Sequence, residues 1–399
     1  MKPKQLLCII FLVVVLIVLP GCINQEREAR PEEEQNGQEE QVPGNEEGTS
    51  MPEGKGEPEK KDDAAALLKE MTLEEKIGQL VMVGFDNTVV DEHIEEMIRE
   101  KRVGGLILYE RNINDAKQLK ALIANLKAVN EVNRLPLFIA VDEEGGRISR
   151  LPESSPKFPS NLEIGRENDP DYSFSIGKSI GTELKKFGFN MNFAPVLDIL
   201  SNPENDVIGD RSFGDNPAVV SKLGVATMKG LQSENIVSVV KHFPGHGDTH
   251  QDSHIELPVV KHSRERLDHF EFVPFKDAIA SGAEAIMTAH IIFPQLDANK
   301  PATLSQEILT GILRNEFWFQ GLIITDDLEM DAIAENYDLG EAALAAVRAG
   351  ADIVLVSHHR EQQEETLNRL IEAVRQGELD VERVEESVER IIRLKMLLR

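Results

Sequence analysis

IVSVVKHFPGHGDTHQDSH, residues 236–254, opens on a short β-branched run and ends on a histidine-rich stretch. The first five residues read as a buried strand. Histidines then fall at 242, 246, 250 and 254, one every four residues. On a helix that spacing would stack four imidazoles on one face, as in a zinc site. Pro244 lies inside the run, however, and Gly245 and Gly247 flank His246. A helix here would lose a hydrogen bond at the proline and carry two costly glycines, so residues 241–254 are expected to form a loop. The spacing then implies no shared face, and each histidine needs its own explanation. A polar loop at the C-terminal end of a strand is where α/β folds place their chemistry.

Outward from this strand, apolar runs alternate with helical patterns through residues 64–399. Candidate strands fall at 80–85, 105–109, 136–141, 191–196, 236–240, 283–288, 321–325 and 351–357. Amphipathic stretches at 115–129, 218–231 and 339–349 sit between them, and 381–398 closes the chain. The first helix is expected to open at Thr72-Leu-Glu-Glu75, a capping box. Eight strand-helix units predict a (β/α)8 TIM-type barrel forming a single catalytic domain. An open doubly wound sheet would want a glycine-rich phosphate turn after the first strand, which Gly84-Phe-Asp-Asn87 does not supply.

The N-terminus has a different character. Residues 1–22, MKPKQLLCIIFLVVVLIVLPGC, carry two lysines and an apolar run from Leu6 to Leu19. This is a signal peptide, and Cys22 after Pro20-Gly21 resembles the lipidated cysteine of a bacterial lipoprotein. An uncleaved N-terminal anchor is the alternative, and it too gives an exported, membrane-tethered protein. Cys8 leaves with the signal, so no disulfide is expected. Residues 23–63 hold 14 acidic and 5 basic residues with almost no large apolar side chain, and are expected to be a disordered acidic tether. The formal charge of −27 makes nucleic acid a poor candidate partner.

Polar residues follow the candidate strands at corresponding places: Asp142 through Arg150 after the third, Asp198 after the fourth, Lys241-His242 after the fifth, His290 after the sixth and Asp326-Asp327 after the seventh. Each alone could be a helix cap or a solvated loop charge. In a barrel they would converge on one mouth, an arrangement suited to hydrolysis or transfer on a polar substrate such as a sugar.

Six motifs together resemble glycoside hydrolase family 3, in its bacterial β-N-acetylglucosaminidase branch. They are DEEGGRISR (142–150), NFAPVLDI (192–199), GDRSFGDNP (209–217), KHFPGHGDTHQDSH (241–254), IMTAHI (286–291) and ITDDLEM (324–330). The order is the family's, with Glu143 standing where glutamine is usual. The extra C-terminal domain of many members is absent from this sequence, so every catalytic group is expected to come from the barrel.

The resemblance implies a retaining exo-hydrolase in which Asp326 is the nucleophile and His254, partnered by Asp252, is the general acid/base. It implies further that Asp142, Arg150, Arg211, Lys241 and His242 hold the N-acetylglucosamine, with no metal and no cofactor. Retaining chemistry needs a carboxylate to attack the anomeric carbon and a proton donor on the leaving-group side. Histidine, titrating near pH 6.5, can serve as that donor and later as base. In an extended segment Asp252 lies on the same side as His254 and can orient its ring. His246 is expected to pack or hydrogen-bond within the loop and His250 to be solvated. The implied substrates are cell-wall fragments, met by a monomer anchored at the outer face of the cell membrane. A phosphorylase on the same site, a non-catalytic sugar-binding lipoprotein and a zinc hydrolase are the alternatives.

Overall fold

The computed structural model describes residues 57–249 and 257–398. Ten strands occur among them: β1 (Val81–Val83), β2 (Gly105–Leu108), β3 (Phe138–Val141), β4 (Met191–Asn192), β5 (Val237–Phe243), β6 (Ala285–Thr288), β7 (Ile292–Phe293), β8 (Asp297–Pro301), β9 (Leu322–Asp327) and β10 (Ile353–Val356). Eight of them close into a parallel barrel in the order β1-β10-β9-β6-β5-β4-β3-β2. These are the eight expected strands, and the fold is the expected (β/α)8 barrel.

The sequences of the barrel strands explain why they close. VMV, GLIL, FIAV, AIMT and IVLV are buried at every position, because one face fills the barrel and the other lies under helices. Several helices of the chain are started by capping side chains. Thr72 makes both halves of the expected capping box with Glu75, and Asp115 accepts from the backbone of Lys117 and Gln118 to open the helix Ala116–Val129. That helix buries Leu119, Leu122, Ile123 and Leu126, an i, i+3, i+4, i+7 stripe.

Four features differ from the sequence expectation. A helix at Glu57–Glu70 precedes the one at Thr72 and begins within the stretch expected to be tether; its Ala64 is fully buried. An antiparallel hairpin, β7 with β8, is inserted between barrel strands β6 and β9. β5 runs through Phe243, so the first three residues of the expected loop are strand. Phe243 is buried and packs against Phe272, Phe275 and Phe317 at centroid distances of 5.8, 5.3 and 6.1 Å, which holds the strand past Val240. β9 runs through Asp327, placing both aspartates of the Asp-Asp pair in the strand itself.

Candidate active site

The C-terminal ends of the barrel strands surround a pocket of about 220 Å³. Its wall includes Tyr109 beyond β2, Asp142, Glu144 and Arg150 beyond β3, Arg211, then Lys241 and His242 from β5, and Asp326 and Met330 from the β9 end. Six side chains expected to form the site are therefore brought together: Asp142, Arg150, Arg211, Lys241, His242 and Asp326.

A frame of opposite charges lines one side. Lys241 Nζ lies 2.5 Å from Asp142 Oδ1 and 2.7 Å from Glu144 Oε1, and its side chain is only 2% exposed. Arg211 donates twice to Glu144, from Nε at 2.9 Å and Nη2 at 2.8 Å. Burial would raise the Glu144 carboxyl, but the Lys241 and Arg211 cations hold it down at about 2. Burial would likewise lower Lys241, and the Asp142 and Glu144 carboxylates outweigh it and raise the ammonium. Glu144 and Lys241 therefore keep their charges across the neutral range, preorganised as acceptor and donor for hydroxyls.

His242 is fixed from behind. Its Nδ1 sits 2.6 Å from Oδ2 of the fully buried Asp198, which also accepts the backbone N–H groups of His242 and His246. A carboxylate partner requires the proton on Nδ1, leaving Nε2 as the nitrogen available to a ligand.

The two aspartates of the pair face different surroundings, as alternation along a strand requires. Asp326 lines the pocket and takes an N–H from Asp327 at 2.9 Å. Burial pushes its carboxyl up, but His242, His290, that N–H and Lys241 together hold it below the usual range, so it is ionised at neutral pH. Asp327 is buried and tied to Ser357 Oγ, to His358 Nε2 at 3.1 Å and to the Glu329 backbone N–H at 3.1 Å. Only the first is presented as an attacking group.

Residues 72–394 match the family described as Glycosyl hydrolase family 3 N terminal domain. The chain belongs to glycosyl hydrolase family 3. It is 38% identical over 335 residues to the β-hexosaminidase A of Pseudoalteromonas piscicida, covering 78% of this chain and 56% of that protein. A family 3 β-N-acetylglucosaminidase structure from Paenibacillus sp. is similar with a TM-score of 0.80 at 44% identity, over 82% of this chain and 62% of that one. The structure of zinc-bound CbsA from Thermotoga neapolitana gives a TM-score of 0.71 at 32% identity, over 79% of this chain and 66% of that one. The chain thus spans between about half and two thirds of the length of these three relatives.

Other residues of this family 3 barrel are sorted by their neighbours. His290, expected at the mouth, does not line the pocket. Its Nδ1 pairs with Thr303 Oγ1 at 2.8 Å and its Nε2 with the Asp327 carbonyl at 2.9 Å, so both nitrogens are used within the protein. His246 packs edge-on against His242 and pairs through Nδ1 with Thr249 Oγ1 at 3.0 Å, the local role expected of it. Burial and the neighbouring His242 pull its imidazole down to about 4. Among the described residues no cluster of three or more His, Cys, Asp or Glu could hold a metal ion.

Glu144, Tyr109 and Met330 line the pocket without having been singled out from the sequence. Glu144 carried a signal, since it sits beside Asp142 in the quoted DEEGGR motif. Tyr109 carried none: it is an ordinary strand-end aromatic whose hydroxyl meets Ser357 Oγ at 2.8 Å through a contact 248 positions away.

Asp252 and His254, with His250, lie outside the described residues, as does Cys22. The chain leading to them is pinned. Gly247 comes so close to the Ile199 carbonyl that a Cβ there would lie 1.7 Å from the oxygen, and the Thr249 carbonyl accepts from Asn202 at 3.0 Å. The described segment through Thr249 follows the C-terminal end of β5, the end of the barrel at which Asp326 stands.

Proposed function

We propose that this chain is a retaining β-N-acetylhexosaminidase that releases non-reducing terminal N-acetylglucosamine from cell-wall fragments. The observation that carries this reading is Asp326, an ionised carboxylate in a pocket framed by Asp142, Lys241, Glu144 and Arg211. The names of the similar proteins from Pseudoalteromonas and Paenibacillus support the N-acetylhexosamine preference. Asp326 attacks the anomeric carbon as the leaving oxygen takes a proton from His254. Water, activated by the same histidine, then releases the sugar with its β configuration retained. Asp142, Arg150, Arg211, Lys241 and His242 bind sugar hydroxyls and the acetamido group, and Asp252 orients the His254 ring. Cys22 carries a lipid that holds the enzyme to the outer face of the membrane through an acidic tether.

The test is a pair of substitutions read with two substrates. Asp326→Ala abolishes turnover of every substrate, because no glycosyl-enzyme can form. His254→Ala loses proton transfer, ordinarily worth roughly 10²- to 10⁴-fold, so a disaccharide is hydrolysed far more slowly. A glycoside of an acidic phenol leaves unprotonated, and the trapped sugar becomes visible by mass spectrometry on Asp326. Equal losses on both substrates, or a sugar trapped elsewhere, would refute the assignment. Predominant sugar 1-phosphate in phosphate buffer would instead identify a phosphorylase.

A further inference from the structure

The barrel has a second cavity at its other end. About 620 Å³ in volume, it is lined by residues that precede β9 and β10, Gln320 and Gly350 among them, and therefore lies at the N-terminal ends of the strands. Asp326 is at the opposite end of β9, so this cavity is distinct from the catalytic pocket.

Four arginines line it: Arg314, Arg348, Arg383 and Arg390. In a chain with a formal charge of −27 such a cluster needs a reason. Part of it is structural. The fully buried Asp352 carboxylate pairs with Arg314, with Arg383 at 3.4 Å and with Arg390 at 3.1 Å, tying the C-terminal helix Val381–Met396 to the barrel. One carboxylate does not neutralise three guanidiniums, and Glu386, 3.5 Å from Arg383 and 4.0 Å from Arg390, is 60% exposed. Burial and the neighbouring Arg390 and Arg383 charges bring Arg314 down to about 10, despite Asp352. Arg383 donates from Nε to the Val347 carbonyl and from Nη2 to the Ala351 carbonyl, while among the described residues its buried Nη1 makes no hydrogen bond and has only the Glu386 carboxylate, at 3.5 Å, as a charged neighbour.

On the rim stands Trp318, the only tryptophan of the chain. It is 76% exposed and has a φ of 56°, a left-handed conformation that is costly for a bulky residue. A large aromatic held open to solvent in a strained backbone indicates a contact surface. Among the described residues no cation covers its ring, whereas Arg314 lies over the neighbouring Phe319 at 5.3 Å.

We propose that this cavity is an accessory subsite for an anionic sugar, whose ring stacks on Trp318 while its phosphate or carboxylate is held by Arg348, Arg383 and Arg390. Guanidiniums match the planar, two-oxygen edge of either acid, and an indole offers a flat apolar face to a sugar's C–H surface. Occupancy there holds an acidic glycan against the back of the barrel and leaves the mouth free.

Because Trp318 is the sole tryptophan, its fluorescence reports on this cavity alone. The full chain is titrated with glucose 6-phosphate and glucuronate, and separately with glucose and inorganic phosphate. A saturable change is expected with one or both acidic sugars, and which one responds distinguishes the phosphate from the carboxylate source. Each half-ligand should bind at least about tenfold more weakly, since linked contacts reinforce one another. Arg348 is half-exposed and also donates from Nε to the Glu378 carbonyl at 2.8 Å; Arg348→Gln should weaken binding by at least about tenfold, read below the variant's own melting temperature. Arg390→Gln should weaken binding likewise, and because it also removes a pair with Asp352 its titration is made below its own melting temperature. No response to either acidic sugar overturns the proposal. So does phosphate binding as tightly as the sugar phosphate, which marks an ion site only, or glucose binding as tightly, which removes the arginines from the argument.

Discussion

At the scale of single residues, Glu143 shows how one atom pair sets a pH dependence. Its carboxylate is fully buried, with Oε2 accepting the backbone N–H groups of Arg150 and Leu151 and Oε1 making no hydrogen bond. Burial raises its pKa above the ordinary value of 4.5, against the lowering effect of those N–H groups. The folded state therefore binds this proton more tightly than the unfolded chain does. Its contribution to stability is complete below the unfolded value and is lost as pH rises through the folded one. Glutamine has the shape of the protonated acid. Glu143→Gln should raise the Tm at neutral pH, with the two proteins converging toward pH 4.5. An equal offset at every pH would show that the charge is not responsible. Because Glu143 also supports the segment bearing Arg150, KM for the glycoside should change little in the variant. At the same scale, Asp326→Asn should eliminate turnover by the two-step route. Asp327→Asn, which alters a group bonded to Ser357 and His358 behind the pocket wall, should leave measurable kcat and lower the Tm. Equal losses of kcat would remove the distinction between the two aspartates.

Among elements, the helix Glu57–Glu70 and strand β5 carry the argument. Ala64 of that helix is fully buried, and Leu67 and Leu68 pack against the core. Removing residues 1–56 should leave the Tm and the hydrolysis rate unchanged, and Cys22→Ser should yield a soluble active protein. Removing residues 1–71 uncovers those apolar side chains and should cost roughly 2–4 kcal/mol of stability. Calorimetry of the two truncations checks this, and identical melting curves would place the domain start later than Glu57. Strand β5 is longer than its β-branched segment because burial of Phe243 and the hydrogen bonds from the His242 and His246 backbones to Asp198 hold it past Val240. Asp198→Asn keeps the shape but removes the charge that keeps the His242 proton on Nδ1. It should raise KM for the glycoside more than it lowers kcat. A pure kcat effect would place His242 in proton transfer instead.

For the molecule as a whole, the activity is predicted to be independent of added metal. Dialysis against a strong chelator should leave the rate unchanged, and a loss restored by zinc would return the four-histidine stretch to consideration. The barrel was legible in the sequence because its evidence is periodic: each buried strand is a short apolar run, and covering helices such as Ala116–Val129 carry an apolar stripe and a cap of their own. The pocket residues Asp142, Lys241, His242 and Asp326 were legible because topology sends every strand's C-terminal end to one mouth. Extra elements escaped the sequence reading, among them the β7–β8 hairpin, whose strand Asp297–Pro301 is mostly polar, and the first helix, which opens inside an acidic stretch. Tertiary structure alone decided which charges pair: Lys241 with Asp142 and Glu144 across 99 and 97 positions, and His242 with Asp198 across 44. It also separated Asp326 from Asp327, and His290 from the pocket. A strand's composition states that its residues are buried, whereas the partner that makes a buried charge tolerable comes from another strand, and only closure of the barrel brings the two together.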